Sequence, residues 1–528
     1  MNRQSVSLGA RQDAFFVRAA RAAAPWTPAL LFCSIFALAL AARLHGLGAK
    51  PLWLDEVFTA QRSSLGVPTL VADSLSHRHS PLFFLAEHAL ASLASGAAGL
   101  RLIPALAGAM SAALVFAIGR AAGLTTGALL AALLAALAPL HVAFGQEARS
   151  YTLMLAFTLV ALWGLVRLAA EPERAARPWR EGGALPAAWA AYGFGTLAAL
   201  LTLGDAAPWL ITSNIAMLVA ILPRVGARRH FLARWFGVQA AILLLSAPLY
   251  GAMLAAVHGQ VMESFRWIPE LTWRFVWRDV ASLYGLRDAT MVTMRLLPGP
   301  SPLLAPFALA LGAVGILALR RERGARAVLL ITVAGLPAVL ILISPTHPVL
   351  LPRYLLWSAA PFFVLAGAAI EVLPRPARPL FLGLSLVLLM MNLRPYYHAE
   401  TKPRWDLAAA SLANRMTPSD IVLVADGAAP VMLTTYLDAL GRGATPLVAT
   451  RHRSKAEATL AAGGHVFVFY GPAGQGKLPP ESPFFAKAGA LGVAGPARPI
   501  GKEIVMEEIN PPGTGIVVCD RTGTRPTN

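Results

Sequence analysis

The sequence predicts an α-helical polytopic membrane protein with a C-terminal extramembrane α/β domain. Three observations carry this expectation. Of the 528 residues, 56% are hydrophobic and only 14% charged, against about 25% charged in an ordinary soluble domain. Apolar runs long enough for a hydrocarbon core of about 30 Å recur as far as residue 393. Beyond it they stop, and short β-like runs alternate with helix-like ones.

The apolar runs lie at 27–45, 102–119, 123–140, 150–168, 187–203, 207–223, 235–254, 301–319, 327–343, 350–371 and 379–393, which makes eleven. The basic stretch MNRQSVSLGARQDAFFVRAAR precedes the first run and no small-residue cleavage site follows it, so that run reads as an uncleaved span. A twelfth segment, SPLFFLAEHALASLAS (80–95), is ambiguous because Glu87 and His88 sit near its middle. A charge there costs about 2.5–3.5 kcal/mol on insertion scales. The arginines decide the matter. If 80–95 does not cross, Arg120, Arg174, Arg177, Arg180, Arg224, Arg228, Arg229, Arg234, Arg320, Arg321, Arg323, Arg326, Arg375 and Arg378 all fall on one side with the N-terminal arginines. Basic loops mark the cytoplasmic side. The segment is therefore expected to lie on the outer surface as an amphipathic helix. The N-terminus is then cytoplasmic and residues 394–528 lie outside, in a bacterium in the periplasm of an inner-membrane protein.

In the C-terminal region, DIVLVAD (420–426), HVFVFYG (465–471) and GIVVCD (515–520) read as strands, and PVMLTTYLDALG (430–441) and KAEATLAAGG (455–464) as helices. That alternation predicts a small, partly parallel α/β domain. GPAGQGK (471–477) lacks the GxxxxGK[ST] spacing of a phosphate loop. The two cysteines, Cys33 and Cys519, offer neither a disulfide framework nor a CxxC metal site. The net charge of +18 comes largely from short loops between apolar runs, a topology signal rather than a nucleic-acid footprint.

The unusual polar residues fall on the outer side. The stretch PLWLDEVFTAQRS (51–63) sets Asp55 and Glu56 side by side between Trp53 and Phe58, and Arg62, His77 and His79 follow in the same loop. Arg101 opens the second span; HVAFGQEARSY (141–151) brings Glu147, Arg149 and Tyr151; PRY brings Arg353 and Tyr354; and the 255–300 loop interleaves arginines with Trp273 and Trp277. Each has a plain reading: an acidic pair past a span as a solvated loop, Trp53 as an interface anchor, Arg101 and Arg353 as snorkelling ends. Their concentration at one membrane face favours chemistry on an amphipathic substrate. A carboxylate can deprotonate a hydroxyl, and arginines can neutralise a departing phosphate. His77, His79 and Glu147 are weak metal candidates, since HxH alone does not make a site.

LWLDEVFT (52–59), HSPLFFLAEHAL (79–90), LRLIPALAGAM (100–110), PLHVAFGQEARSYTLML (139–155) and PRYLL (352–356) resemble, in that order, the motifs of polyprenyl-phosphate-sugar-dependent glycosyltransferases, the GT-C fold enzymes related to protein O-mannosyltransferases and aminoarabinose lipid A transferases. YYHAETKPRWDLAAASLANRMTPSDIVLVAD (396–426) resembles the start of their periplasmic domain. The resemblance covers almost the whole chain. It implies a GT-C domain over 1–393 with about eleven spans and a periplasmic domain over 394–528. It implies Asp55 as general base, with Glu56 orienting the acceptor or keeping Asp55 poised. Donor phosphate and sugar would fall to Arg62, His79, Arg101, Glu147, Arg149, Tyr151, Arg353 and Tyr354. One departure stands out: many relatives have two prolines where this chain has Ser80-Pro81, and a Lys or His where His79 stands. The implied partners are a polyprenyl-phosphate sugar, a lipid, glycan or protein acceptor, and membrane lipids. No cofactor is required, and a divalent metal is compatible with the acidic residues. Two other functions are weighed: a flippase of lipid-linked saccharide, which calls for charges at mid-membrane depth in paired halves, and a non-catalytic envelope scaffold, which needs no acidic pair at the membrane mouth.

Overall fold

The computed structural model describes residues 27–91, 96–178, 183–256, 271–284, 304–346, 349–424, 429–443, 446–448, 452–470, 493–494, 498–500 and 504–511. A helix lies on each of the eleven apolar runs. Helix α1 (Thr27–Leu44) leads into a first loop folded as α2 (Leu54–Ser63), α3 (Val67–Ser76) and α4 (Pro81–Leu90). Then come α5 (Leu102–Ala121), α6 (Thr126–Leu137), α7 (Pro139–Gly145), α8 (Tyr151–Ala170), α9 (Pro186–Thr202), α10 (Ala207–Ala216, continued to Arg224 by irregular turns), α11 (Arg228–Ala255) and α12 (Trp273–Leu283). The bundle closes with α13 (Leu304–Ala318), α14 (Arg323–Ile343), α15 (Leu356–Ala368) and α16 (Ala377–His398). Seven of these are long and apolar enough to cross a membrane, eight if the bent α6–α7 pair is one span. By length alone α9, α13 and α15 fall short, so eleven crossings do not follow from helix length and composition.

Leucines and methionines on the flanks of α11 and α16, such as Leu244, Leu254, Leu380 and Met391, are exposed. A face that apolar suits lipid and not water. Inside, small residues let backbones approach: α8 packs along α9, and a methyl added to Gly164 would run into the carbonyl oxygen of Ala188. The 56° bend between α6 and α7 has a local cause. Pro139 has no N–H, so the Ala135 carbonyl loses its helical donor. Buried Arg43 of α1 fills the break, donating to Ala136 O at 3.0 Å, His141 O at 3.3 Å and Ala135 O at 3.4 Å.

The loops that carry the arginine clusters meet at one end of the bundle. Glu371 accepts from the N–H groups of Thr125 and Gly127, Glu173 accepts from Gly226 N–H, and Arg234 donates to Ala175 O. The opposite end carries α2–α4 and the C-terminal domain. Helix α4 has ten residues, about 15 Å, too short to cross. Its Phe83 and Phe84 pack with Leu70 of α3, a local core that keeps the loop on the bundle.

Beyond α16 come α17 (Trp405–Ala413), β1 (Ile421–Val424), α18 (Ala429–Ala439), β2 (Leu447–Val448), α19 (Arg453–Ala461), β3 (Val466–Tyr470), β4 (Val493–Ala494), β5 (Arg498–Ile500) and β6 (Ile504–Asn510). The sheet order is β2-β1-β3-β6-β4, with β5 also on β6. β1 runs parallel to β2 and β3, and β6 antiparallel to β3. Successive residues alternate between faces. Val422, Val424, Phe467 and Phe469 meet α17 and α18, while Leu423, Val466 and Val468 meet α19. Burial on both faces explains why β1 and β3 read as unbroken apolar runs. The antiparallel strand is IVMEEIN (504–510), which sequence reading passed over; the expected strand at 515–520 and the GPAGQGK loop lie outside the described residues.

Candidate active site at the domain end of the bundle

Helix α2 begins at the acidic pair. Two acids in a first turn suit the positive end of a helix. Their one-residue offset points them in different directions, and the two environments have little in common.

Glu56 is fully buried. Arg101 grips it with two bonds, Nε to Oε1 at 2.7 Å and Nη2 to Oε2 at 2.8 Å. Lys402 Nζ donates to Oε2 at 2.7 Å, Ala148 N–H to Oε1 at 2.9 Å and Trp53 N–H to Oε2 at 3.3 Å. Burial opposes ionisation of this carboxyl, but Lys402 and Arg101 outweigh it and hold the pKa near 2. Arg101 is saturated too, donating to the carbonyls of Leu47, Lys50 and Pro51 at 2.8–3.0 Å. With these bonds in place, neither Glu56 nor Arg101 presents a free edge to a substrate.

Asp55 is the reverse. About a quarter of its side chain is exposed, and its Oδ2 lies 3.8 Å from Arg149 Nε and 3.5 Å from Arg353 Nη1. These are looser approaches than a tight charge-assisted bond of about 2.7–2.9 Å. Arg353 also lies 3.4 Å from Tyr151 Oη, and its guanidinium sits 5.8 Å from the Trp53 ring and 5.9 Å from the Tyr354 ring. Arg149 lies 5.8 Å from the Tyr151 ring.

The QEAR element joins both environments, one residue at a time. Gln146 Nε2 donates to the Arg43 and His45 carbonyls, and Tyr396 Oη donates to its Oε1, which fixes the turn after α7. Glu147 is fully buried, and neither of its oxygens has a hydrogen-bond partner among the described residues. Burial pushes its carboxyl up to about 7, against the pull of Lys402. Ala148 N–H serves Glu56, and Arg149 faces Asp55.

The other expected residues lie on the rim. Arg62 Nε binds Asp73 Oδ2 at 2.5 Å and sits over Phe84, which ties α2 to α3 and α4. His79 packs edge-on to Phe84; burial, with Arg149 and Arg62 nearby, pushes its pKa down to about 3, so it is neutral. His77 turns to Asp73 and Ser76 at the end of α3. Among the described residues no three His, Cys, Asp or Glu side chains converge to hold a metal.

Two further residues belong here that sequence reading did not single out. Lys402 follows the last span and reaches back over 346 positions to Glu56. Asp205, just before α10, acts electrostatically on Arg353, Arg149 and Tyr354. A lone lysine in the junction KPRWD and a lone acid in the short loop LGDAAP were the available signals.

No family model matches the chain, and no curated protein matches it. Solved structures do. ArnT from Cupriavidus metallidurans is similar both in the apo state (TM-score 0.52) and bound to undecaprenyl phosphate (TM-score 0.53). In each case identity is 14%, over 92% of this chain and 98% of ArnT. The archaeal oligosaccharyltransferase AglB from Archaeoglobus fulgidus, in complex with an inhibitory peptide and a dolichol-phosphate, is similar at 12% identity over 83% of this chain and 69% of AglB, with a TM-score of 0.50. The chain has the GT-C fold of these proteins.

Proposed function

We propose that the protein is an inverting glycosyltransferase of the outer face of the inner membrane. It would move a hexosyl or pentosyl group from a polyprenyl-phosphate donor to an acceptor hydroxyl on a lipid, glycan or protein. The observation that carries this reading is the partly open Asp55 carboxylate set between Arg149 and Arg353, beside a second carboxylate, Glu56, that is sealed away. The likeness to structures that hold undecaprenyl phosphate and dolichol-phosphate supports it through the shared fold.

Asp55 takes the proton of the acceptor hydroxyl as that oxygen attacks the anomeric carbon. The bond from that carbon to the phosphate oxygen breaks, and the electron pair leaves with polyprenyl phosphate. Arg353 and Arg149 meet the charge that gathers on the leaving phosphate. Tyr151 and Tyr354 line the same corner, neutral His79 can hydrogen-bond donor or acceptor from the rim, Asp205 would meet sugar hydroxyls, and Glu147, fully buried in the QEAR turn, would act on the donor through that turn. Glu56 and Arg101 act through position. The positive charge comes from arginines, so the reaction does not call for a metal; a chelator should leave turnover unchanged, and loss of turnover restored by one divalent cation would overturn that point.

The test is mass spectrometry of envelope glycolipids and glycans from cells with the wild-type protein, with Asp55→Asn and without the protein. A glycosylated species present only with wild type supports the assignment. The same species at wild-type level with Asp55→Asn contradicts it.

A further inference from the structure

The C-terminal domain does more than sit beside the bundle: it grips the acidic pair from behind. Val57, the residue after the pair, is fully buried in that domain's own core with Trp405, Leu412 and Phe467, and Leu52 and Leu54 pack against the same cluster. Tyr436 Oη of α18 donates to Leu52 O at 3.1 Å. Lys50 Nζ binds Thr401 Oγ1 at 2.9 Å and Tyr396 O at 2.8 Å, across the junction where α16 enters the domain. At the centre stands Lys402, buried, with its ammonium on Glu56.

We propose that Lys402 is a positioning residue, and that through its bond to Glu56 the C-terminal domain sets the aim of Asp55 between Arg149 and Arg353. The chain of contacts is short. Lys402 and Arg101 fix Glu56 at the third position of α2; Glu56 fixes Trp53 N–H and Ala148 N–H; Ala148 is followed directly by Arg149. One carboxylate thereby registers three pieces of the site: the first turn of α2, the QEAR turn and the domain. A rotation of that turn moves Asp55 against both arginines, and a misplacement of about 1 Å can cost roughly 10²-fold in rate. A domain that only bound acceptors would leave no reason to spend a buried lysine here, since burying an ammonium is costly unless it is paired.

This inference rests on the glycosyltransferase reading, and the experiment separates the two. Full-length protein in nanodiscs is offered undecaprenyl phosphate carrying glucose, mannose, galactose, arabinose or aminoarabinose, together with an extract of its own cell envelope as acceptor, and the donor from which the wild type releases undecaprenyl phosphate is the probe. Lys402→Met, Glu56→Gln, the double variant and Lys402→Arg are compared for kcat, KM and binding of undecaprenyl phosphate. The expected result is a fall in kcat of about 10- to 100-fold in each of the first two, with KM and undecaprenyl phosphate affinity within about two-fold. The double variant should be no worse than the worse single, because both act through one bond. Lys402→Arg, which keeps the charge, should recover part of kcat. Losses that multiply in the double variant, or a Lys402→Met enzyme with wild-type kcat, would overturn the proposal while leaving the function standing. Should Lys402→Met not be recovered folded, Tyr436→Phe loosens the same junction without unpairing a charge: a lower kcat at unchanged KM supports the proposal, and wild-type kcat refutes it. Wild-type kcat in Asp55→Asn would instead bring down the function itself.

Discussion

Asp55 and Glu56 are neighbours of the same charge, one methylene apart in size, yet the fold treats them as opposites. Glu56 receives five hydrogen bonds and is fully buried; Asp55 receives two long approaches from arginines and a quarter of its side chain is open. The contrast teaches how a site in a membrane protein divides its work. A fully bonded charge gives rigidity and cannot react, while a loosely held charge can react and cannot hold itself in place. The arginines divide the same way: Arg101 is saturated by Glu56 and carbonyls, and Arg149 Nε has no hydrogen-bond partner among the described residues.

The sealed side should break hardest. Glu56→Ala leaves Arg101 and Lys402 buried without their anion, and removing one partner of a buried pair costs about 3–5 kcal/mol; thermal unfolding in detergent should show the loss. The pH sense follows from a carboxyl held near 2 against an ordinary 4.5: the contribution of Glu56 is complete above about pH 4.5 and drains away as pH falls toward 2. Glu147 runs the other way. Its carboxyl is raised to about 7, so the folded state keeps a proton that the unfolded chain has released, and stability falls as pH rises from about 4.5 to 7. Glu147→Gln should therefore stabilise the protein at pH 8, on the order of 3 kcal/mol, with no gain at pH 4, and it should lower turnover. Equal melting curves at pH 8 would show that Glu147 has a partner in solution.

On the open side, Arg353→Gln should weaken binding of undecaprenyl phosphate by about 10- to 100-fold, since a hydrogen bond to a charged group contributes about 1.5–3 kcal/mol; native mass spectrometry with the lipid reads it directly. Unchanged affinity would move the phosphate elsewhere. The smallest effect on the lipid belongs to the rim. Asp73→Asn keeps an oxygen for buried Arg62 to bind but removes the negative charge of its one-third-exposed partner, a stability loss of about 1–3 kcal/mol, and should leave lipid affinity within about two-fold.

Much of the fold was legible because hydrophobic length and arginine placement are local signals. Every apolar run became a helix, 81–90 stayed too short to cross, and β1 and β3 fell on DIVLVAD and HVFVFYG. The acidic pair and the QEAR element were legible as unusual chemistry at one end. What stayed hidden was pairing across distance. Nothing around Arg101 says that its partner is Glu56, 45 positions away, or that Lys402 completes the set from beyond the last span. Thus Arg101 read as a candidate for the donor phosphate, and its bonds to Glu56 and three carbonyls were not legible. The stretch IVMEEIN was passed over as a strand because two glutamates interrupt its apolar pattern; Glu508 carries one of them inward, toward His465 and Arg415. Arg43 was equally silent, since an arginine at the end of a span usually snorkels, whereas here a proline break supplies carbonyls for it to bind.

The most direct test of the account is a single variant measured two ways. Purified Asp55→Asn should bind undecaprenyl phosphate as the wild type does, because Arg149 and Arg353 remain, and should lose sugar transfer by about 10²–10⁴-fold, the usual contribution of a positioned base. Transfer within about two-fold of wild type, with the lipid bound normally, would show that the open carboxylate is not the base and would contradict the division of labour between Asp55 and Glu56.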